Sequence, residues 1–322
     1  MTNKMIRILT INWHTSYLYL LSKTGHLFYI MGEWEESSRP IPDNCILIKK
    51  DNYSEFVDDI DLLIGHNIIS DFFYYFPRCL RWQVPYIQVI HGHKNRTGFK
   101  KTKFKIYLKH LYALSVLGTF QAFNRLRVIF IAQYDALSWP VSGHVIPHGI
   151  PIEDMADYDG TVREMLVVGN RLDREHFQID NLLALMNKIP IQVVGENPNL
   201  PESHPAHNWE ELLDYYSKFR AFVNIAGEPE RGYNLSMLEA MATGMPVVSV
   251  YHPNSPIRDG WSGFLVRTTE EMEARCRQLL DDHALAKQLG ANARETVKQH
   301  FNIQDFVNRW NQYLYEIVNK KR

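Results

Sequence analysis

Apolar residues in the first half of the chain come in short unbroken runs rather than in strict alternation. Residues 6–11 (IRILTI), 27–31 (LFYIM), 61–65 (DLLIG), 85–90 (PYIQVI) and 128–132 (VIFIA) are such runs. A run of four to six apolar positions between polar punctuation predicts a strand buried on both faces, as in a parallel sheet. The stretches between them are longer and read as helices. The first reaches Lys23 and is followed by Gly25, a helix C-cap signal. The pattern restarts after Ile150, with runs at 164–169 (EMLVVG), 191–195 (IQVVG), 221–225 (AFVNI) and 246–250 (PVVSV), and helical stretches at 180–188, 209–219 and 235–243. Two further helical stretches, 269–299 and 303–321, close the chain. Strand, helix, strand at this spacing predicts two sequential α/β domains, each a doubly wound parallel sheet. The polar segment 151–160 (PIEDMADYDG) is the expected linker.

A length of 322 residues fits two domains, and 45% apolar with 22% charged residues excludes wholesale disorder and collagen-like structure. Three separated cysteines (Cys45, Cys79, Cys276) argue against a disulfide scaffold and for a reducing compartment. The N-terminal residues lack a secretory-signal pattern, and no run of about 18 apolar residues occurs, so a cytoplasmic protein is expected. A net charge of −1 hides an asymmetry. Residues 1–150 carry 17 basic and 11 acidic side chains, whereas residues 151–322 carry 18 and 25. The two halves are therefore expected to face different partners. From 91 to 112 the chain (HGHKNRTGFKKTKFKIYLKHLY) holds basic residues, among them Lys100, Lys101, Lys103 and Lys105, interleaved with aromatics and without one acid. Such a segment suits an anionic membrane surface or a phosphate-bearing acceptor. Nucleic acid is not expected.

The GxGxxG, GxxxxGK[ST] and GxSxG signatures are absent, which disfavours the usual NAD enzymes, P-loop ATPases and serine hydrolases. His91 with His93, and His144 with His148, have metal-ligand spacing but no further ligand completes either set, so no metal is expected. The aromatic cluster at 72–76 reads as packing. The most informative segment is 228–248, EPERGYNLSMLEAMATGMPVV. It predicts a loop, a close backbone approach at Gly232, and a helix from about Tyr233 to Thr243 capped by Gly244. The first N–H groups, on Tyr233, Asn234 and Leu235, would form an anion site suited to a phosphate or diphosphate. Glu239, two turns in, could accept a pair of hydrogen bonds from vicinal ribose hydroxyls, or simply be a solvated residue.

Residues 231–248 (RGYNLSMLEAMATGMPVV) resemble the donor-binding block of retaining GT-B glycosyltransferases, specifically glycosyltransferase family 4. The resemblance extends in family order to 257–266 (IRDGWSGFLV) and 279–301, and upstream to 165–169 with Arg171, 145–150 (VIPHGI) and 85–92 (PYIQVIHG). It implies a GT-B fold, two Rossmann-like domains facing a cleft. The N-terminal one, about 1–150, would bind acceptor, with the last helix (303–322) packing back on it. The C-terminal one, about 151–302, would bind the sugar nucleotide. The implied reaction moves a hexose-type sugar from a nucleotide, UDP more than GDP, to a hydroxyl acceptor with retention and without metal or cofactor. An envelope or lipid-linked glycan is the implied acceptor, with peripheral contact to the inner membrane face.

Carried onto this sequence, the resemblance places the diphosphate at Gly232, Tyr233, Asn234 and Leu235 beside Gly169. Arg171 and Arg174 would neutralise the leaving phosphate, Glu239 would hold the ribose, and His91 would reach the donor sugar. Two departures matter. The family's first glutamate, seven residues before Glu239, is here Arg231. Either Glu230, one position earlier, reaches the sugar, or Arg231 takes the site. The phosphate clamp reads NRLDREH (170–176), which leaves Arg171 and Arg174 open as alternatives. Asn12 and His14, in NWHTS, stand where many members have a glycine pair near the acceptor. A sugar-nucleotide epimerase of the same fold, or a non-catalytic GT-B subunit binding a partner, are the competing readings.

Overall fold

The computed structural model describes residues 4–35, 39–68, 70–92, 115, 119, 126–174, 177–227 and 232–319. It divides into two compact units: 1–35, 39–148 and 304–322 form the first, and 36–38 with 149–303 the second.

The first unit is built on a seven-stranded sheet. Its strands are β1 (Arg7–Ile11), β2 (Leu27–Met31), β3 (Cys45–Ile48), β4 (Leu62–Gly65), β5 (Tyr86–Ile90), β6 (Leu126–Phe130) and β7 (His144–Val145), in the order β3-β2-β1-β4-β5-β6-β7 with every pairing parallel. The central strands β4 and β5 are buried at every position, which is why they read as unbroken apolar runs. Helices α1 (Thr15–Ser22), α2 (Ser70–Trp82) and α3 (Gln133–Ser138) follow strands β1, β4 and β6. The aromatics of α2 divide as helical geometry requires: Phe72, Tyr75 and Phe76 enter the core and Tyr74 is exposed. Two strands were not expected. β3 and β7 are the edges, one with Ile46 and Leu47 exposed and one only two residues long, so neither prints a buried run.

The second unit holds β8 (Val162–Val168), β9 (Ile191–Val194), β10 (Phe219–Asn224), β11 (Val247–Val250) and β12 (Gly263–Val266), all parallel, in the order β12-β11-β10-β8-β9. β12 is a further strand that the apolar pattern did not announce. Helices α4 (Ile179–Met186), α5 (Trp209–Lys218) and α6 (Leu235–Thr243) connect the strands, and α7 (Thr269–Asp281) and α8 (His283–His300) follow β12. The stretch 269–299 is thus two helices rather than one. Asp282 ends the first and caps the second, its carboxylate accepting the Leu285 N–H at 2.8 Å. Buried Arg220 closes α7: its Nη1 donates to the carbonyls of Leu279 and Leu280 at 3.1 and 2.7 Å.

The last helix, α9 (Ile303–Asn319), belongs to the first unit. Phe306 meets Tyr17, and Asn311 donates to the Thr24 carbonyl at 3.3 Å. His26 accepts the Ile6 N–H on Nδ1 and lies edge-on to Tyr315.

Candidate functional site

In the second unit two loops are zipped together at the carboxyl ends of β8 and β9. Asn170 Oδ1 accepts the Glu196 N–H at 2.8 Å, and Arg171 N donates to the Glu196 carbonyl at 2.9 Å. Asn197 accepts from Leu172 N at 2.8 Å and donates to the Gly169 carbonyl at 2.9 Å. Gly195 sits at φ +138°, and a Cβ there would meet the Gly169 carbonyl oxygen at 2.3 Å. Only glycine lets the loops approach this closely. The result is a rigid turn carrying Arg171 at φ +55°, an unusual conformation for a residue with a side chain. Asp173 grips its guanidinium from one edge, Nε to Oδ1 at 2.9 Å and Nη2 to Oδ2 at 3.0 Å. Both ends of that pair reach solvent, and Arg174 beside them is exposed.

Helix α6 begins against the same turn. Its Ser236 Oγ lies 3.1 Å from the carbonyl oxygen of Val168, the last residue of β8, and 2.9 Å from Asn234 Oδ1. The helix starts at Leu235, two residues later than its sequence suggests, because Asn234 is its N-cap and takes the Met237 N–H at 2.8 Å. An anion at this terminus would therefore meet the N–H groups of Leu235 and Ser236, the first two helical positions. Tyr233 is buried with its ring against Phe301 rather than directed by the helix. Gly232, at φ +86°, lies on the ring of buried His252, where a Cβ would come within 2.6 Å of Nδ1. That nitrogen accepts the Asn254 N–H, so His252 is itself fixed by its loop.

Glu239 faces inward, 5% exposed, and accepts the Tyr216 hydroxyl of α5 at 3.1 Å. It is not the solvated residue that a helix of this kind could carry. The helix terminus and the arginine turn thus lie at the carboxyl end of β8, and Glu239 lies further along α6, against Tyr216 of α5. Glu230 and Arg231 lie outside the described residues.

The first unit gathers histidines at the same end of its own sheet. His91 follows β5, and its Nε2 is 2.9 Å from His66 Nδ1; His66 Nε2 is 3.0 Å from Thr10 Oγ1. Buried Tyr17 lies edge-on to His91, His66 and His148, with centroids 4.7, 5.8 and 5.5 Å away. Trp139 donates to the Gly92 carbonyl at 2.9 Å, anchoring the chain just after His91. Asn12 ties its own loop together, its amide donating to Thr15 Oγ1 at 3.0 Å and to the Glu33 carbonyl. His14 is the N-cap residue of α1. Lys100, Lys101, Lys103 and Lys105 lie outside the described residues. Among the described residues no group of three or more His, Cys, Asp or Glu could hold a metal ion, and no helix is long and apolar enough to cross a membrane.

Burial, with a smaller contribution from nearby His14, pushes the His66 pKa down to about 3. The unfolded side chain titrates near ~6.5, so between ~6.5 and about 3 only the unfolded chain takes the proton. Stability present above ~6.5 is therefore lost as pH falls, at up to about 1.4 kcal/mol per pH unit. His66→Asn should flatten the fall in melting temperature between ~pH 6.5 and ~4.5. Equal slopes in the two proteins would place the acid sensitivity in other groups.

Residues 163–282 match the family model described as glycosyl transferases group 1. The matched residues all lie within the second unit. The poly(ribitol-phosphate) alpha-N-acetylglucosaminyltransferase of Staphylococcus aureus is 31% identical over 84 residues, 24% of this chain and 17% of that protein. The chain spans under a third of the length of each of the curated relatives it matches. Solved structures extend the likeness to both units at the level of fold. Sucrose-phosphate synthase from Thermosynechococcus elongatus superposes with a TM-score of 0.70 at 16% identity, covering 98% of this chain and 100% of that one. The Anabaena protein HepE, in complex with UDP and glucose, gives 0.68 at 13% identity, covering 97% and 100%. The fold is GT-B, two Rossmann-like α/β domains.

Thr10, His66, Tyr17, Asn197, Tyr216 and His252 were not anticipated as site residues. His66 and Asn197 closely follow apolar runs, where the rule that ligands bind beyond strand ends could have found them. Tyr216 has no such signal, because its partner Glu239 is 23 positions away.

Proposed function

We propose that the chain is a glycosyltransferase that moves a sugar from a nucleotide-sugar donor to a hydroxyl acceptor, in the synthesis of a surface or envelope glycan. The observation that carries this reading is the hydrogen bond that ties the α6 N-terminus to Val168 at the end of β8, three residues before Arg171, within the stretch that matches glycosyl transferases group 1. The helix end offers N–H groups and a positive dipole to a diphosphate, the arginine adds fixed positive charge, and Glu239 takes the ribose. As the bond from the anomeric carbon to the diphosphate breaks, that charge stabilises the leaving group. The acceptor hydroxyl adds to the same face of the sugar as its proton passes to the departing phosphate oxygen, so configuration is retained, and no metal is required. A UDP-sugar is the favoured donor class.

Arg171→Gly tests this reading because glycine adopts φ +55° without strain. Relief of about 1–2 kcal/mol of left-handed strain offsets the roughly 0.5–1 kcal/mol entropic cost of glycine, so the melting temperature should hardly change. Turnover should fall on the order of 100-fold. Unchanged turnover would remove Arg171 from the leaving-group role and shift it to Arg174, whose alanine variant is the parallel measurement.

The first unit takes the acceptor in this proposal. The uninterrupted basic charge between 91 and 112 supports contact with an anionic membrane surface or a lipid phosphate. Flotation of the full chain should then be stronger with anionic than with neutral vesicles, and equal binding to both would remove the membrane contact.

A further inference from the structure

We infer that Asn197 and Asp173 are positioning residues that pre-organise Arg171 for a diphosphate, Asn197 by fixing its main chain and Asp173 by fixing the plane of its guanidinium. The diphosphate rests on the glycosyltransferase reading; the pre-organisation does not.

Among the described residues other than glycine, only Arg171 and Gln83 have positive φ. Gln83 follows α2, where the Val84 N–H bonds back to the Cys79 carbonyl, an ordinary helix ending. No helix ends at Arg171, so its conformation is imposed from outside. Its own N–H donates to the Glu196 carbonyl at 2.9 Å, which sets the peptide plane before it. The plane after it is held at both edges. Its carbonyl accepts the Arg174 N–H at 3.2 Å, and the Leu172 N–H donates to Asn197 Oδ1 at 2.8 Å. Leu172 is buried in the core of the second unit, while Arg171 beside it is exposed.

Asn197 is buried, and its amide is used on both sides. Nδ2 donates to the Gly169 carbonyl at 2.9 Å and to Ser203 Oγ at 2.8 Å. The Ser203 hydroxyl gives its own proton to the Gly195 carbonyl at 2.7 Å. One side chain thus spans the turn from Gly169 to Leu172. Only this setting of the amide puts an acceptor against the Leu172 N–H and a donor against the Gly169 carbonyl.

Asp173 acts on the side chain. Its carboxylate takes Arg171 Nε and Nη2 at 2.9 and 3.0 Å. Those bonds hold the Asp173 carboxyl below its usual range, so the pair is charged at neutral pH. An exposed ion pair adds little to stability, but a two-point one fixes a direction. The guanidinium N–H groups outside the pair, on Nη1 and the far side of Nη2, form the edge suited to phosphate oxygens.

The test uses the full chain labelled with 15N. Arg171→Gly assigns the Arg171 Nε–H signal. In wild type that signal should be sharp and the Leu172 amide slow to exchange with solvent. Asn197→Ala should quicken the Leu172 amide to the rate of an unbonded loop amide. Asp173→Ala should lose the sharp Nε–H signal at an unchanged melting temperature, because the pair is exposed. Inorganic pyrophosphate, a diphosphate without base or sugar, is the binding probe. Its Kd should rise roughly tenfold in Asn197→Ala and in Asp173→Ala. In an Arg171→Gly background each substitution should change it by less than about twofold, since both act through Arg171. Ser203→Ala removes a bond within the loop and none to the turn, so its Kd should stay close to wild type. Additive effects in the double variants, a mobile Leu172 amide or Nε–H in wild type, or no pyrophosphate binding by wild type would overturn the inference. A Ser203→Ala effect equal to that of Asn197→Ala would also overturn it, by assigning Asn197 to loop stability alone. Failure of the glycosyltransferase reading looks different. No nucleotide sugar would then raise the melting temperature, while pyrophosphate binding still depends on Asn197 and Asp173 through Arg171, which supports the positioning.

Discussion

Glu239→Gln should weaken nucleotide-sugar binding by roughly 10- to 100-fold while leaving the melting temperature within a few degrees of wild type. The carboxylate sits in the body of α6, 5% exposed, with Tyr216 donating to one oxygen. An ionised carboxylate offers about four lone-pair sites, enough for that tyrosine and a ribose diol together. Glutamine keeps the volume and one oxygen, so Tyr216 can retain a partner. It replaces the other oxygen by an NH2 group, which cannot accept from a hydroxyl. Hydrogen bonds to a charged group contribute about 1.5–3 kcal/mol, and each 1.4 kcal/mol is tenfold in affinity. Glu239→Ala is a poorer test, since it also removes the bond from the Tyr216 hydroxyl. Calorimetric titration of the nucleotide into both proteins measures the difference; equal affinities would make Glu239 a purely structural partner of Tyr216.

Gly290→Ala should be the most destabilising single methyl in the chain's second unit. Helix α8 crosses the end of α6 at this residue, and a Cβ would fall 1.8 Å from the carbonyl oxygen of Gly244 and 3.2 Å from Pro246. Gly244 closes α6 at φ +101°, and Met245 N is bonded to the Ala240 carbonyl, so the obstacle is backbone held at both ends. Overpacking of this kind costs about 3 kcal/mol, or roughly 6–12 °C in melting temperature for a domain of this size. Gly260→Ala is the control: its φ of +71° is also positive, yet nothing lies within 4 Å of the added methyl. A loss at Gly290 no greater than at Gly260 would mean that α8 does not meet α6 as described. Displacing Gly244 also moves the helix that carries Glu239, so nucleotide binding should weaken in parallel.

The central strands were legible in the sequence because burial on both faces writes an unbroken apolar run. The edges β3 and β7 were not, because exposure or brevity erases that run; β12 is mostly buried but opens on Gly263, which shortens its apolar run to three residues. The break at Asp282 was hidden by strong helical composition on both sides; only the capping geometry shows it. In the site, Gly232 and Glu239 could be singled out from the segment 228–248, and Arg171, with Arg174 as the alternative, from the family resemblance. Asn197 closely follows an apolar run, but Tyr216 and His252 act through contacts set by sheet order, which brings β8 between β9 and β10. The contacts of Thr10 with His66 and of His66 with His91 also depend on sheet order, since they join the neighbouring strands β1, β4 and β5.

The most direct test is a thermal-shift panel of UDP-, GDP-, ADP- and TDP-sugars on the wild-type chain. A ligand at ~100 times its Kd adds roughly 2.7 kcal/mol of stability, which is readily seen as a rise in melting temperature. One nucleotide class, UDP first, should stabilise the wild type, and Glu239→Gln should lose the shift at the same concentration. No shift with any of the four would contradict a nucleotide-sugar site at the α6 terminus.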